Sequence, residues 1–204
     1  MSLRPLRTDL NKNSLKIIGI PSEFIPKTIH DFKVFGDPAF KDLINDYMST
    51  IDQNFIDNVG LFISGSNGQG KTFATSLILK EAYRHRYTCR RVTLQHYINF
   101  YHKTWDRDDS GEYRDYFERN FMLPEFMVID EVGKETETKY SNSIFEDLLR
   151  VREEKELPTI LCTNYSTSDF QKRYDSSITS LVRGNTIPVK AVGKDNRLYR
   201  SKLL

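Results

Sequence analysis

The chain has few of the features that mark a disulfide scaffold, a secreted protein or a membrane protein. Only two cysteines, Cys89 and Cys162, occur in its 204 residues. Both fall in apolar segments that predict buried strands, so we expect core thiols rather than a disulfide or a metal pair. The longest apolar runs, such as residues 126–129, are far below the roughly 18 residues of a membrane span, and the N-terminus has no apolar signal core. The composition therefore predicts a soluble cytoplasmic protein with no membrane partner.

An excess of charge of one sign is also missing. Thirty basic and 28 acidic side chains give a net charge of +2, with histidine neutral. This value is too small to indicate nucleic-acid binding by itself. The distribution is uneven, since residues 183–204 carry six basic residues against one acid. This basic tail is either a solvated surface or a surface that faces phosphates, and the composition leaves both interpretations open.

Prolines interrupt the first 35 residues, which otherwise show little periodicity. Pro5, Pro21 and Pro26 stand among polar stretches, a pattern that predicts an arm or a small docking segment over residues 1–35. We expect the folded domain to span residues 36–204. Its first element is predicted as one amphipathic helix over residues 37–55, where apolar residues recur at helical spacing.

Beyond residue 60, short apolar runs alternate with helical patterns. Strands are predicted at residues 60–64, 89–94, 125–130 and 159–163. Helices are predicted at residues 71–86 and 143–155, with further helical spacing between the second and third strands as far as residue 121. Strands that alternate with helices form a parallel sheet with helices on both faces. The sequence therefore predicts an α/β fold.

A glycine-rich loop separates the first predicted strand from the helix that follows it. Residues 65–72 have the pattern G-x-x-x-x-G-K-T, and the strand and helix on either side favour a phosphate loop over an ordinary turn. Glycines let the loop N–H groups point inward, and the helix directs its positive end at the phosphates. ATP with Mg²⁺ is the expected ligand. The predicted nucleotide contacts are Gly65, Ser66, Asn67, Gly68, Gln69, Gly70, Lys71, which reaches the β- and γ-phosphates, and Thr72, whose hydroxyl binds Mg²⁺.

Polar side chains also end two later strands. Asp130 and Glu131 follow four apolar residues, at the sheet edge where parallel strands present ligand sites. We expect Asp130 to hold Mg²⁺ and Glu131 to orient and deprotonate the attacking water, because that role needs a carboxylate near the γ-phosphate that is not bound to the metal. Asn164 follows the next strand and either positions the same water or is a simple turn asparagine.

Four segments taken together resemble AAA+ helicase loaders of the DnaC and DnaI type and the related IstB transposition helper. They are the loop at residues 65–72, the acidic segment 130–135, the segment 150–164 and the segment 180–184. The resemblance covers roughly residues 37–190. It implies an AAA+ type P-loop NTPase fold, ATP hydrolysis and a nucleotide-dependent homo-oligomer.

The resemblance assigns a further role to Arg183. In that family the matching arginine reaches the nucleotide of the neighbouring subunit, and a guanidinium suits the charge that develops on a transferring phosphoryl group. An ordinary surface arginine is the alternative for Arg183, and Arg150 and Arg152 are alternative sources of the catalytic arginine. Two departures from the family stand out, since only about 35 residues precede the predicted domain and too few follow Arg183 to form a helical lid.

Aromatic and basic residues interleave between the second and third predicted strands. The family resemblance places a helical insertion here that contributes to contact with single-stranded DNA, and stacking platforms beside cations suit that ligand. Helical spacing also predicts that most of these aromatic residues are buried. We expect DNA contacts from a few residues only, with Lys103, Trp105 and Arg107 the favoured ones.

The leading hypothesis is therefore an ATPase that binds a replicative helicase and loads it onto single-stranded DNA. An IstB-like helper that delivers a transposase is the alternative with the same chemistry. A small-molecule kinase is disfavoured, because the segment after Asn164 contains no obvious lid to exclude water. An ATP-binding switch without useful turnover is a further possibility.

Overall fold

Five parallel strands form one sheet in a computed structural model of the chain, which describes residues 5–32, 38–105 and 111–192 and, of Trp105, only the backbone. The strand order is β2-β3-β4-β1-β5. Helices lie on both faces, so the predicted α/β parallel sheet is confirmed. In chain order the strands are β1 (Gly60–Ser64), β2 (Cys89–Thr93), β3 (Phe126–Val132), β4 (Thr159–Thr163) and β5 (Thr186–Lys190).

Four of the five strands were predicted from the sequence, and β5 was not. β5 is an edge strand that pairs only with β1. It carries Pro188, and only Val189 is buried. A strand with one buried side chain lacks the apolar alternation that marks a half-buried strand. The described residues end at residue 192, two residues after β5, so the predicted absence of a helical lid and the rest of the basic tail, residues 193–204, lie outside them.

The helix predicted over residues 37–55 is two helices that meet at Thr50. The Thr50 hydroxyl donates to the carbonyl of Asp46, and the Asn54 amide donates to the carbonyl of Tyr47. Such side-chain bonds to backbone carbonyls compete with helix continuation.

The helices are α1 (Lys12–Ile18), α2 (Ala39–Ser49), α3 (Ile51–Ile56), α4 (Lys71–Arg84), α5 (Leu94–Trp105), α6 (Glu112–Phe117), which continues into a π-helical turn (Glu118–Met122), α7 (Lys139–Glu154), α8 (Thr167–Arg173) and α9 (Ser176–Asn185). Within the described ranges, none of these helices has the length and apolar character that a bilayer crossing requires.

Two hydrophobic cores lie on opposite faces of the sheet. Alternate residues of β1 point to opposite faces, so Leu61 and Ile63 join one core and Phe62 joins the other. Helices α1 to α4 cover the first face, and α5 to α9 cover the second. Cys162 is buried in the first core, and burial raises the pKa of its thiol. Cys89 is only partly buried because β2 is the other edge strand.

Residues 5–32 pack along the domain and add side chains to its first core. Four of their apolar side chains are buried there: Leu15, Ile18, Ile20 and Phe32. Helical periodicity did not reveal them because α1 has only seven residues and buries just Leu15 and Ile18, while Ile20 and Phe32 lie outside any α-helix. The predicted domain boundary near residue 35 falls in residues 33–37, outside the described residues.

A buried lysine on α4 holds this N-terminal segment in place. The ammonium group of Lys80 donates to the backbone carbonyls of Phe24, at 3.1 Å, of Ile25, at 3.3 Å, and of Lys27. Burial lowers the pKa of Lys80. Because three carbonyl oxygens surround the charge, its desolvation is offset by charge-assisted hydrogen bonds.

Arg152, one of the alternatives to Arg183, lies inside the protein. It is 1% exposed, and its guanidinium donates to the Thr159 hydroxyl and to the carbonyls of Met122, Pro124 and Pro158 at 2.7–2.9 Å. Burial lowers its pKa to about 9. The guanidinium joins the loops that lead into β3 and β4, so the expectation that it could reach a neighbouring subunit was wrong.

Replacing Arg152 should destabilise the domain strongly. Arg152→Met leaves several buried carbonyls without donors, and we expect a loss of about 3 kcal/mol in the free energy of unfolding. Urea denaturation followed by circular dichroism measures it. Arg150→Met is the matched control on the same helix, because the Arg150 side chain is 56% exposed and pairs with Glu146, so its loss should stay below about 1 kcal/mol. Equal losses in the two variants would contradict this assignment.

Candidate nucleotide site

Three neighbouring strands end at the same edge of the sheet, and a polar segment follows each of them. β3 and β1 lie on either side of β4, with Ser64 and Val132 both in register with Thr163. Asp130 and Glu131 lie at the end of β3, Asn164 follows β4, and the glycine loop follows β1. The topology therefore brings together residues from three distant parts of the sequence, at the carboxyl edge where α/β sheets bind ligands.

The loop after β1 has a backbone that only glycines adopt easily. Gly65, Gly68 and Gly70 have φ of 152°, 76° and 85°, in the left-handed region that is costly for other residues. A Cβ on Gly65 would also lie 2.5 Å from the carbonyl oxygen of Ala191. No side chain caps α4, which begins at Lys71, so its first N–H groups stay available to an anion. The loop and helix thus form a cradle that fits phosphate.

The side chains of Lys71 and Asn164 contact each other and this loop. Lys71 is 8% exposed, and its ammonium donates to the carbonyls of Gly65 and Ser66 and, at 2.9 Å, to Asn164 Oδ1. The Asn164 amide donates to Asn67 Oδ1 at 3.0 Å. Asn164 therefore contacts the loop on two sides. A simple turn asparagine has no need for these contacts.

Asp130 and Thr72 place two oxygen atoms that can bind a metal ion next to the loop. Asp130 is 4% exposed, and its Oδ2 accepts a hydrogen bond from the Thr72 hydroxyl at 3.1 Å. Its other oxygen, Oδ1, accepts the backbone N–H of Glu131 at 2.8 Å. Magnesium in nucleotide sites takes one or two such protein oxygens and completes its shell with phosphates and water. The donor set therefore fits Mg²⁺.

Glu131 lies in a strained turn at the end of β3. Its φ is 58°, and the pairing of β3 with β4 shifts register between Ile129 and Val132. Its side chain is 48% exposed, and its carboxylate pairs with Lys134 at 2.7 Å. Left-handed backbone at a non-glycine residue costs energy and clusters at functional sites. The bulge turns Glu131 away from the core, on the opposite side from the buried Asp130.

A group of residues that the sequence analysis did not assign fixes this turn. The Gly133 N–H donates to Glu135 Oε2 at 2.8 Å, and the Tyr165 hydroxyl donates to the Gly133 carbonyl at 3.2 Å. Glu135 is buried and accepts hydrogen bonds from Arg173, at 2.7 Å, and from the Tyr174 hydroxyl, at 2.6 Å. Burial raises the pKa of Tyr174, which keeps its hydroxyl a donor. The charge of Glu135 was visible in the sequence, but its partners lie 38 and 39 residues away, so only the fold reveals the cluster.

Two further predicted residues that the structure describes, Arg183 and Lys103, lie on helices α9 and α5 rather than on the loop. Arg183 is exposed on α9 and lines an open groove of about 410 Å³ with Gln171 and Ser176. Its guanidinium makes no hydrogen bond or ion pair to another described residue. Lys103 is exposed on α5, while Arg107 and the side chain of Trp105 lie outside the described residues.

Together, the sheet order, the glycine loop between β1 and α4 and the acidic end of β3 define an α/β P-loop NTPase fold of the AAA+ type. The DnaC helicase loader has this fold, with a TM-score of 0.70 and 16% identity over 84% of this chain and 100% of that one. DnaI matches with a TM-score of 0.63 and 17% identity, over 87% of this chain and 94% of that one. The replication initiator DnaA bound to AMPPCP and single-stranded DNA matches with a TM-score of 0.67 and 16% identity, over 88% of this chain and 55% of that one.

These likenesses confirm the resemblance to DnaC and DnaI at the level of fold. No protein-family model matches the sequence, and no curated protein sequence matches it either. The shared fold extends over 84–88% of the chain in these three comparisons.

Removing the Lys71 ammonium should weaken ATP binding. Lys71→Met loses a charge-assisted hydrogen bond to phosphate, and we expect the dissociation constant for ATP to rise by about tenfold or more. Titration with a fluorescent ATP analogue measures it. Arg84→Met, at the exposed far end of the same helix, is the control and should bind as tightly as the wild type. If the two variants bind equally, ATP does not occupy this loop.

Proposed function

We propose that this protein is an ATPase that binds a replicative DNA helicase and loads it onto single-stranded DNA. The observation that carries the proposal is the convergence of the glycine loop, the acidic pair and Asn164 at one sheet edge. This site lies within a fold that matches the whole of the solved chain of the DnaC helicase loader. The site would hydrolyse ATP, and hydrolysis would serve the loading of the helicase onto DNA.

In this proposal, residues of the loop bind and orient the triphosphate. The N–H groups of residues 65–72 donate to the β-phosphate, and Lys71 moves from the loop carbonyls to the β- and γ-phosphates. Thr72 and Asp130 would hold Mg²⁺, which neutralises phosphate charge when bound. Asn164, already in contact with Lys71, lies where its amide can orient the attacking water.

Glu131 is the proposed general base. It is exposed at the end of β3 while Asp130 remains buried beside Thr72, so the two carboxylates have separate roles. Its carboxylate pairs with the Lys134 ammonium at 2.7 Å. The water's proton passes to Glu131 as the water oxygen bonds to the γ-phosphorus, and the bond to the β-phosphate oxygen breaks. The cluster of Glu135, Tyr165 and Gly133 keeps this turn in place.

Arg183 is proposed to complete the site of a neighbouring copy. The residue is exposed beside an open groove, and its guanidinium makes no hydrogen bond to another described residue. A guanidinium delivered across a subunit interface stabilises the charge of the transferring phosphoryl group, and it makes hydrolysis depend on assembly. The expected assembly is a nucleotide-dependent homo-oligomer.

The proposed contact with single-stranded DNA lies on the helical layer formed by α5, α6 and the π-helical turn. Phe100, Tyr113 and Tyr116 are 43%, 49% and 57% exposed, while Tyr97 and Phe117 are buried in the core. Exposed rings beside cations such as Lys103 suit bases that stack and phosphates that need neutralising. DnaA, which has the same fold, was solved with single-stranded DNA bound.

Two inactive variants should restore activity to each other if Arg183 acts between subunits. Glu131→Gln should keep ATP affinity and lose about 100-fold or more in phosphate release, and Arg183→Ala should be similarly slow. In an equal mixture, half of the subunits carry an intact Glu131 and the other half carry an intact Arg183. About one quarter of the sites should then combine both residues, so the mixture should hydrolyse ATP at about one quarter of the wild-type rate. Malachite-green assay of phosphate measures all three samples.

Glu137→Gln is the control, since Glu137 is exposed on the same loop, and it should hydrolyse ATP at the wild-type rate. No recovery in the mixture would place Arg183 outside a shared site. Unchanged turnover in Glu131→Gln would remove Glu131 from the role of base.

The loader function itself is tested with the replicative helicase from the same organism. We expect the tagged protein with ATP to retain the helicase on an affinity column. We also expect it to raise the rate at which the helicase unwinds a strand annealed to a closed circle of single-stranded DNA. Lys71→Met should lose the stimulation of unwinding. No association with the helicase, with or without ATP, would remove the loader function, and retention of a transposase instead would favour the IstB-like alternative.

A further inference from the structure

Two adjacent arginines on the edge strand β2 point to opposite faces of the sheet. Arg90 packs its guanidinium 4.1 Å from the ring centre of Phe121 on the second face. Arg91 extends on the first face towards Asp130, which follows its register partner Val128 by two residues. Charged side chains are common on an edge strand, so the partners of each arginine decide what it does.

Both arginines bind the end of α1, but only Arg91 reaches the site. Arg90 Nη1 donates to the carbonyl of Ile17 at 2.8 Å, and Arg91 Nη1 donates to the carbonyl of Gly19 at 3.3 Å. Arg91 Nη2 also donates to Asp130 Oδ2 at 2.6 Å. The N-terminal segment thus holds the Arg91 guanidinium in position against the carboxylate.

This ion pair is largely removed from water. The Arg91 side chain is 18% exposed and that of Asp130 is 5% exposed. The Arg91 Nε is buried and has no hydrogen-bond partner among the described residues. Among those residues Asp130 is the acidic group that pairs with Arg91. A buried carboxylate and a buried guanidinium each need the charge of the other.

The same carboxylate oxygen would also serve the metal. Asp130 Oδ2 accepts from Thr72 as well as from Arg91, and Oδ1 is occupied by the N–H of Glu131. A divalent cation beside Thr72 and Asp130 would lie next to the positive charge of the Arg91 guanidinium. The guanidinium therefore supplies part of the compensation that Mg²⁺ supplies in other P-loop sites.

We propose that Arg91 is a built-in cation that neutralises Asp130 and thereby reduces the dependence of nucleotide binding on magnesium. This inference rests on the proposed function in one respect, that ATP occupies the loop beside Asp130. Without Arg91, the uncompensated carboxylate repels the triphosphate unless magnesium is bound. With Arg91, the nucleotide binds in either condition.

The test measures the affinity of a fluorescent, non-hydrolysable ATP analogue in EDTA and in Mg²⁺. For the wild type, we expect the two dissociation constants to differ by less than about tenfold. For Arg91→Gln, the ratio of the EDTA value to the Mg²⁺ value should rise about tenfold above that of the wild type, the effect of one charge-assisted interaction. Arg90→Gln is the matched control, because it loses a bond to α1 but none to Asp130, and it should keep the wild-type ratio.

Each result separates the inference from the proposed function. A wild type that binds the analogue in neither buffer would contradict the nucleotide site itself. A wild type whose affinity falls more than about 100-fold in EDTA overturns the role of Arg91 even if Arg91→Gln does not fold. An Arg91→Gln ratio within about twofold of the wild type, or equal losses in both buffers, shows a merely structural residue. An equal rise in Arg90→Gln would attribute the effect to α1 docking and overturn the inference.

Discussion

The candidate site depends on one buried carboxylate. Asp130 is 4% exposed, and a charge in that position is tolerated only when neighbouring groups satisfy it. The Thr72 hydroxyl, the Glu131 N–H and the Arg91 guanidinium each contribute a hydrogen bond. These three partners belong to α4, to the end of β3 and to the edge strand β2. The carboxylate thereby ties helix α4, the end of β3 and the sheet edge to one another.

The N-terminal segment is the second structural feature that bears on this site. It packs Phe32 against Phe73 of α4, with ring centres 5.3 Å apart, and a Cβ on Gly70 would lie 3.0 Å from the Phe32 ring. Lys80 holds the turn at residues 24–27, and Arg91 binds Gly19. A segment that contacts the loop, its helix and the partner of Asp130 changes the site if it moves.

Much of this site follows from local sequence pattern, and the rest follows from the topology. The glycine loop and the acidic strand end were predictable because glycine spacing and an apolar run ending in acid each have a local physical cause. β5 was missed because an edge strand buries too little to leave a pattern. Arg91, Glu135 and Tyr165 were missed because their partners are brought together only by strand order. Arg152 had the charge of a catalytic arginine, but its burial among carbonyls shows a structural one.

The central claim is that the loop at Gly70 and the pair Asp130 and Glu131 converge on a single magnesium triphosphate. A crystal structure with a non-hydrolysable ATP analogue and Mn²⁺ in place of Mg²⁺ tests it most directly, because manganese is located by its anomalous scattering. We predict triphosphate in the loop and one manganese peak beside Thr72 and Asp130, with Glu131 facing the γ-phosphate. An empty loop, or a metal bound far from Asp130, would contradict the account.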